Sequence, residues 1–280
     1  GGLYLYGKVN LINNVVSNNQ VGFVCGYGWG GGAIFLETPS NYSISLNNIY
    51  HNNYAPTYGG GVFVDEEAFV YMTNDLVFKN FTNDNTHSGA GIAVDQSGTG
   101  QSSTLIIKNC TVADNYSLQN ITGNGIFVDE NCYVEAKNCI FWNNNGDFKV
   151  TQGSILDIVY SICQDNFNGN GILHSNPLFA DSQNNDYHLK SKGGRYSNGQ
   201  WVIDTEHSPA IDAGDPTSVY NLETFPNGGR INLGAFGNTS QASRSYANSI
   251  DFNTNYDILA QNPVHDYIMI NNSQNFDFIN

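Results

Sequence analysis

Positive charge is what this chain has least of. Ten lysines and arginines stand against 25 aspartates and glutamates in 280 residues, a formal net charge of −15. Phosphate backbones would be repelled, which argues against nucleic acid as a partner. The three arginines, Arg195, Arg230 and Arg244, all fall late in the chain. Charge of either sign is thin: 12% of residues, where about 25% is typical. No apolar run approaches the roughly 18 residues of a membrane-spanning helix, so none is predicted. Five cysteines (Cys25, Cys110, Cys132, Cys139, Cys163) are too few and too odd in number for a disulfide scaffold. No stretch sustains the 3.6-residue period of an amphipathic helix. No secretion signal opens the chain, and GGLYLYG reads as the middle of a repeat.

Asparagine, glycine, serine and threonine supply the polarity instead, while 40% of residues are hydrophobic and 13% aromatic. That is too much apolar surface for disorder. It is also periodic. GGAIFLE at 31–37 recurs as GGGVFVD at 59–65, GAGIAVD at 89–95 and GNGIFVD at 123–129, at spacings of 28, 30 and 34 residues. A second string follows each: NNVVSNN at 13–19, NNIYHNN at 47–53, NDLVFKN at 74–80, NCTVADN at 109–115 and NCIFWNN at 138–144. YSICQDN at 160–166 keeps the pattern without its first asparagine.

Short apolar strands separated by turn residues cannot bury their faces alone, but stacked units can. The predicted fold is all-β: a right-handed parallel β-helix of about six or more coils over residues 1–173. Asn13, Asn47, Asn74, Asn109 and Asn138 fall at one position of the coil. They are expected at a corner, where asparagine tolerates a left-handed backbone and stacked amides bond coil to coil. Cys110 and Cys139 share the next column, as small buried thiols. These repeats resemble the right-handed β-helix proteins related to pectate lyases and to bacterial surface repeats. That fold carries lyases, hydrolases, adhesins and inert spacers, so the resemblance implies architecture rather than activity.

From residue 174 the pattern changes. HSPAIDAGDP at 207–216 and FPNGGRINLGAFGNT at 225–239 resemble the terminal segment of secreted bacterial β-helix proteins. The resemblance implies that 174–239 forms a closing coil and C-terminal cap, with Arg230 paired to a carboxylate. Calcium on Asp212, Asp215 and Glu223 is the alternative use of those acids. Residues 240–261 read as a polar linker. QNPVHDYIMI at 261–270 is a strand with nothing to pair with. It resembles the opening of the sorting domain of Bacteroidota type IX secretion substrates, a small β-sandwich. Residues 262–280 are then expected to begin such a domain, with Asn262, Pro263, Val264, Asp266, Ile268 and Ile270 as its signal. Its partners would be the secretion components of the outer membrane.

For chemistry, Glu37, Asp65, Asp95 and Asp129 stand at one position of four successive repeats. Stacked carboxylates about 5 Å apart repel, so calcium is the cofactor this column suggests, against ordinary turn chemistry. Lys108 and Lys137 share another column, and a lysine of lowered pKa could serve as the base of a lyase. Yet residues 1–170 hold no arginine for a uronate carboxylate, and neither Asp-Asp nor Gly-His-Gly occurs. Trp29, Tyr54, Tyr58 and Trp142 lie near turns, where exposed rings could stack on sugars. The expected function is an exported, extracellular or cell-surface protein, adhesin-like or carbohydrate-binding, with a polysaccharide or surface glycan as partner. The alternative is a calcium-dependent lyase of uronate polymers.

Overall fold

A computed structural model of the chain describes residues 2–22, 30–36, 42–96 and 100–246. The calls on Trp29, Glu37 and the signal residues Asn262, Pro263, Val264, Asp266, Ile268 and Ile270 lie outside them. The described chain winds through six stacked coils of a parallel β-helix. The first sheet takes Leu3–Tyr6, Ala33–Leu36, Val62–Asp65, Ile92–Val94, Ile126–Val128 and Phe148–Val150. The second takes Asn10–Ile12, Ser43–Leu46, Phe69–Thr73, Thr104–Lys108, Tyr133–Lys137 and Ile155–Val159. The third takes Val15–Ser17, Ile49–His51, Leu76–Phe78, Thr111–Ala113, Ile140–Trp142 and Ile162–Cys163. Coils two to four add a short fourth sheet of Tyr54–Ala55, Phe81–Thr82 and Tyr116–Ser117. All pairing between coils is parallel and in register, so like residues stack on like.

Inward side chains fill the tube completely. Val62, Val64, Ile92, Val94, Ile126 and Val128 from the first sheet meet Val70, Met72, Leu105, Ile107, Val134 and Ala136 from the second. Cys110, Cys139 and Cys163 sit fully buried among them as free thiols. Leu3, Leu5 and Leu11 close less of the first coil and remain partly exposed.

Each coil bends through a residue with a left-handed backbone. Asn13, Asn47, Asn74, Asn109 and Asn138 have φ of 58, 54, 53, 49 and 57°. The predicted corner is therefore present. A second corner follows the third sheet, at Asn18, Asn52, Lys79, Asp114 and Asn143, with φ between 52 and 58°. Asparagine adopts this region at least cost after glycine.

The stacked amide ladder is not at the predicted column. It runs one residue past the second corner, through Asn19, Asn53, Asn80, Asn115 and Asn144. Each donates from Nδ2 to the next Oδ1 at 3.0 Å, from Asn19 as far as Asn144. Each Oδ1 also accepts the backbone N–H of the coil before it, at 3.0 to 3.2 Å. The second Nδ2 proton goes back to a third-sheet carbonyl: Val16, Tyr50, Val77 or Val112. Both proton donors of these buried amides are used, which is what burial of a polar group requires.

The segment from 174 onward does not stop the tube. Phe167 and Ile172 do that, packing on the last coil against the core and Phe148. Residues 174–246 instead form a strap along the outer face of the third sheet. Two antiparallel hairpins, Phe179–Asp181 with Asp186–Leu189 and Arg195–Ser197 with Gln200–Val202, begin it. Leu189, Ala210, Ile211 and Leu233 cover Ile140 and Ile162; Tyr187 and Ala235 cover Leu76, Phe78 and Ala113. The outward third-sheet residues of coils three to six are apolar except Thr111, whose Oγ1 accepts Ala235 N–H at 3.0 Å, and covering them is what holds the strap down. Lys79 clamps one hairpin through the carbonyls of Ser182 and Gln183 at 2.7 and 3.0 Å. Among the described residues Arg230 forms no direct ion pair, Asp212 feeling its charge without contact; its guanidinium donates to the backbone carbonyls of Gly214 and Ala213.

Candidate functional site

The first-corner asparagines point outward, and coils three to five spend theirs on the strap. Asn74 Nδ2 donates to Ala235 O and Gly237 O at 2.9 and 2.7 Å. Asn109 Nδ2 reaches Asn232 O at 3.2 Å, and Asn138 Oδ1 accepts Asp215 N–H at 2.7 Å. Gly237 lies so close that a Cβ there would overlap the Asn109 amide. Coils one and two extend beyond this clamp. There Asn13 and Asn47 are exposed, and among the described residues no hydrogen-bond partner engages their side-chain amides.

A groove of about 400 Å³ runs between that free stretch of corner and the end of the strap. Asn13, Asn47 and Asn74 form one wall, and Ile49 and Leu76 add apolar floor. Phe236, Thr239, Ser240 and Gln241 form the other. Among the described residues, no charged side chain lines it. The Phe236 ring is held by His188, stacked at 3.7 Å and 17°. Thr239 Oγ1 fixes the turn by donating to Phe236 O at 2.7 Å. A row of neutral amides beside apolar surface suits a ligand with hydroxyls on its edges and C–H on its faces.

The structure scatters the residues singled out from sequence. Lys108 and Lys137 are neighbours in register on the outer face of the second sheet. Lys137 is not free to act as a base: its ammonium is ion-paired with the nearly buried Asp215 of the strap. Replacing it leaves that carboxylate uncompensated. Lys137→Met is expected to cost about 2 kcal/mol in chemical unfolding, a partly exposed pair being worth less than a buried one. A residue serving only as base would show no such loss.

Asp65, Asp95 and Asp129 do stack, and in the second coil the strand pairing sets Leu36 beside Asp65. The second coil is displaced by one residue from the alignment of its glycines, so Ala33 and Phe35 face the core and Ile34 and Leu36 face away from it. Each aspartate Oδ1 accepts the N–H of the following residue at 2.8, 2.8 and 3.0 Å, which is turn chemistry. Burial lifts Asp65 to about 6 and Asp95 to about 7, and neighbouring carboxylates add to both. Protonation is thus one way in which the stack relieves its repulsion. Among the described residues, no three His, Cys, Asp or Glu side chains are grouped to hold a metal ion. Asp212, Asp215 and Glu223 are committed elsewhere: to Ser245, to Lys137 and Thr217, and to the N–H groups of Asn232 and Asn238.

The aromatic candidates occupy separate surfaces. Tyr54 belongs to a row on the fourth sheet, 5.0 Å from Phe81, which is 5.4 Å from Tyr116. Tyr58 is sandwiched with Phe63 and Phe127 outside the first sheet. Trp142 packs with Ile140 and Ile162 beneath the strap. The groove residues Phe236, Thr239, Ser240 and Gln241 went unrecognised because they fall where a cap ends and a linker was expected. Asn13 and Asn47 were recognised, but as ladder rather than site.

No helix among the described residues is long and apolar enough to cross a membrane. No curated protein matches the chain, and neither does any solved structure. Among protein-family models, the one described as disaggregatase related matches residues 82–214, somewhat less than half of the chain. That stretch holds coils four to six and the first part of the strap, so the chain is a parallel β-helix whose second half is similar to the disaggregatase-related family.

Proposed function

We propose that the chain is a carbohydrate-binding β-helix that holds a neutral glycan in the groove without cleaving it. The observation that carries this reading is the unpartnered pair Asn13 and Asn47 facing Phe236 and Gln241 across an uncharged cleft. Amides satisfy hydroxyls in both directions, and Phe236 offers a ring edge or face for the C–H surface of a sugar. The net charge of −15 disfavours uronate polymers, and the groove supplies no acid, base or cation to break a glycosidic bond. Adhesion on the outside of the cell follows from that chemistry and from the neutral-polar surface. Export would rest on the resemblance of Gln261–Ile270 to a type IX sorting signal, testable by fusing residues 240–280 to a reporter and following surface display.

The binding test uses glycine in place of two asparagines, since glycine keeps the left-handed corner at no steric cost. Asn13→Gly with Asn47→Gly is expected to weaken binding of neutral oligosaccharides at least tenfold by calorimetry, with unchanged unfolding temperature. Chelator should leave binding intact. Undiminished affinity in the double variant would remove the groove from consideration. Ultraviolet-absorbing unsaturated product from a uronate polymer would replace binding with lyase activity.

A further inference from the structure

One side chain of the groove wall is wired to a titratable group outside it. His188, on the strand Asp186–Leu189, lies behind Phe236 and reaches past it. Its Nδ1 is 2.7 Å from Asp186 Oδ1, and its Nε2 is 3.1 Å from Gln241 Oε1. Both partners are oxygens that can only accept. With the Gln241 amide in this orientation both ring nitrogens carry a hydrogen, as in the imidazolium; with the amide turned over, the neutral ring makes the same contact.

We propose that His188 decides which end of the Gln241 amide faces the groove, and so whether the site offers a ligand a donor or an acceptor there. In the charged form Nε2–H donates to Oε1, and the Gln241 amino group is turned to the groove. In the neutral form Asp186 keeps the Nδ1 proton, and Nε2 presents a lone pair. An amide oxygen facing that lone pair is repelled. The amide turns over, its N–H donates to Nε2, and its oxygen faces the groove. His188 is a positioning residue; Gln241 is the group that meets the ligand.

The surroundings keep Asp186 in the accepting role in both states. Burial would raise its carboxyl, but the hydrogen bond of His188, its charge in the imidazolium state and the charge of Arg195 hold it below its ordinary value, and the hydrogen bond and Arg195 remain when His188 is neutral. Arg195 NH1 is 3.0 Å from Asp186 Oδ2, and Asp204 steadies the same guanidinium at 3.1 and 3.3 Å. From the remaining sides His188 meets Phe236 and, at 6.3 Å, the Tyr196 ring. The local charges are therefore Asp186, Arg195 and Asp204, all tied to one another.

The functional consequence rests on the groove being the glycan site; the switch itself does not. Protein labelled with nitrogen-15 is followed by NMR without ligand from about pH 8 to pH 5, the range in which histidines commonly titrate. The Gln241 amide protons are expected to move with the same midpoint as the His188 ring nitrogens. One amide proton should exchange slowly at high pH and lose that protection at low pH. His188→Phe keeps the stack on Phe236 and should abolish the Gln241 response. If that variant does not fold, Gln241→Met serves, and the His188 midpoint must then shift. Gln241 signals that ignore His188 would overturn the proposal. For the ligand arm, glycan affinity should differ at least threefold between pH 8 and pH 5.5, and Gln241→Ala should remove the difference. A switching amide in a protein that binds no glycan at any pH would sink the binding reading and leave the switch standing.

Discussion

Asn115→Leu is expected to destabilise the β-helix by about 4 kcal/mol, while Asn47→Gly changes stability by less than about 0.5 kcal/mol. Both are asparagines of the same repeat string, and both recur in every coil from one to five. They differ in where the side chain goes. Asn115 is fully buried. Its Oδ1 accepts the N–H and the amide of Asn80, each at 3.0 Å, and its Nδ2 donates to Val77 O and Asn144 Oδ1. Leucine has the same branched shape and greater bulk, and leaves Asn80 N–H, the Val77 carbonyl and part of two amides without partners. Each such group costs about 1–3 kcal/mol. In a stacked array the damage is local, so amide exchange should accelerate first in coils three and four. Thermal unfolding should fall by roughly 10 °C for a chain of this size. Equal losses in the two variants would mean that the ladder is not where the hydrogen bonds place it.

That contrast also marks what the sequence could reveal. The coil count, the parallel stacking and the first corner follow from string repetition, because a left-handed bend every coil demands asparagine or glycine at a fixed place. The ladder does not follow. Asn13 and Asn19 open and close the same seven-residue string, and both columns are asparagine in five coils. Period-two alternation places the second and fourth residues of the string inward, as Asn48 and Tyr50 show. It fails at the sixth, Asn52, where a left-handed residue turns the chain and passes the inward role to Asn53. The register of the second coil is hidden for a related reason: the glycines that precede each first strand invite an alignment that the strand pairing shifts by one residue. The strap is harder still. Its motifs imply closure, but whether they close an end or a side depends on which outward residues are apolar. Leu76, Phe78, Ile140 and Ile162 decide that, and their facing is visible only once the corners are known. The groove is a consequence of the strap clamping the corner only in coils three to five, which leaves the corner of coils one and two open beside it.

Beneath that groove lies a fully buried carboxyl from which a large pH response is expected. Asp75 is fully buried, its Oδ2 has no hydrogen-bond partner, and its Oδ1 accepts Asn48 N–H at 2.6 Å. The groups around it are neutral: Ser45 from the second sheet, Asn48 at the corner, Tyr50 from the third sheet and the Cys110 thiol from the next coil. Burial lifts its carboxyl from the ordinary 3.8 to about 7, offset in part by the dipoles of Ser45 and Asn48. The folded state therefore holds a proton that the unfolded chain releases near pH 4. The contribution to stability is full below about pH 4, declines as pH rises toward 7, and is gone above it. A rise of this size corresponds to about 4 kcal/mol across that window. Asp75→Asn removes the titration and fits the column, where Asn14 and Asn48 already stand. The amide can also donate where Oδ2 has nothing to accept, as Asn48 Nδ2 does to Leu11 O at 2.8 Å one coil earlier. Denaturant unfolding of the two proteins should give similar stabilities at pH 4 and favour the variant by about 4 kcal/mol at pH 8. Asn74 and Leu76 flank this residue and line the groove, so the alkaline loss should reach ligand affinity in the wild type and spare Asp75→Asn. Parallel pH profiles for the two proteins would show that Asp75 is ionised in the fold, and that some cation or donor near Oδ2 offsets its burial.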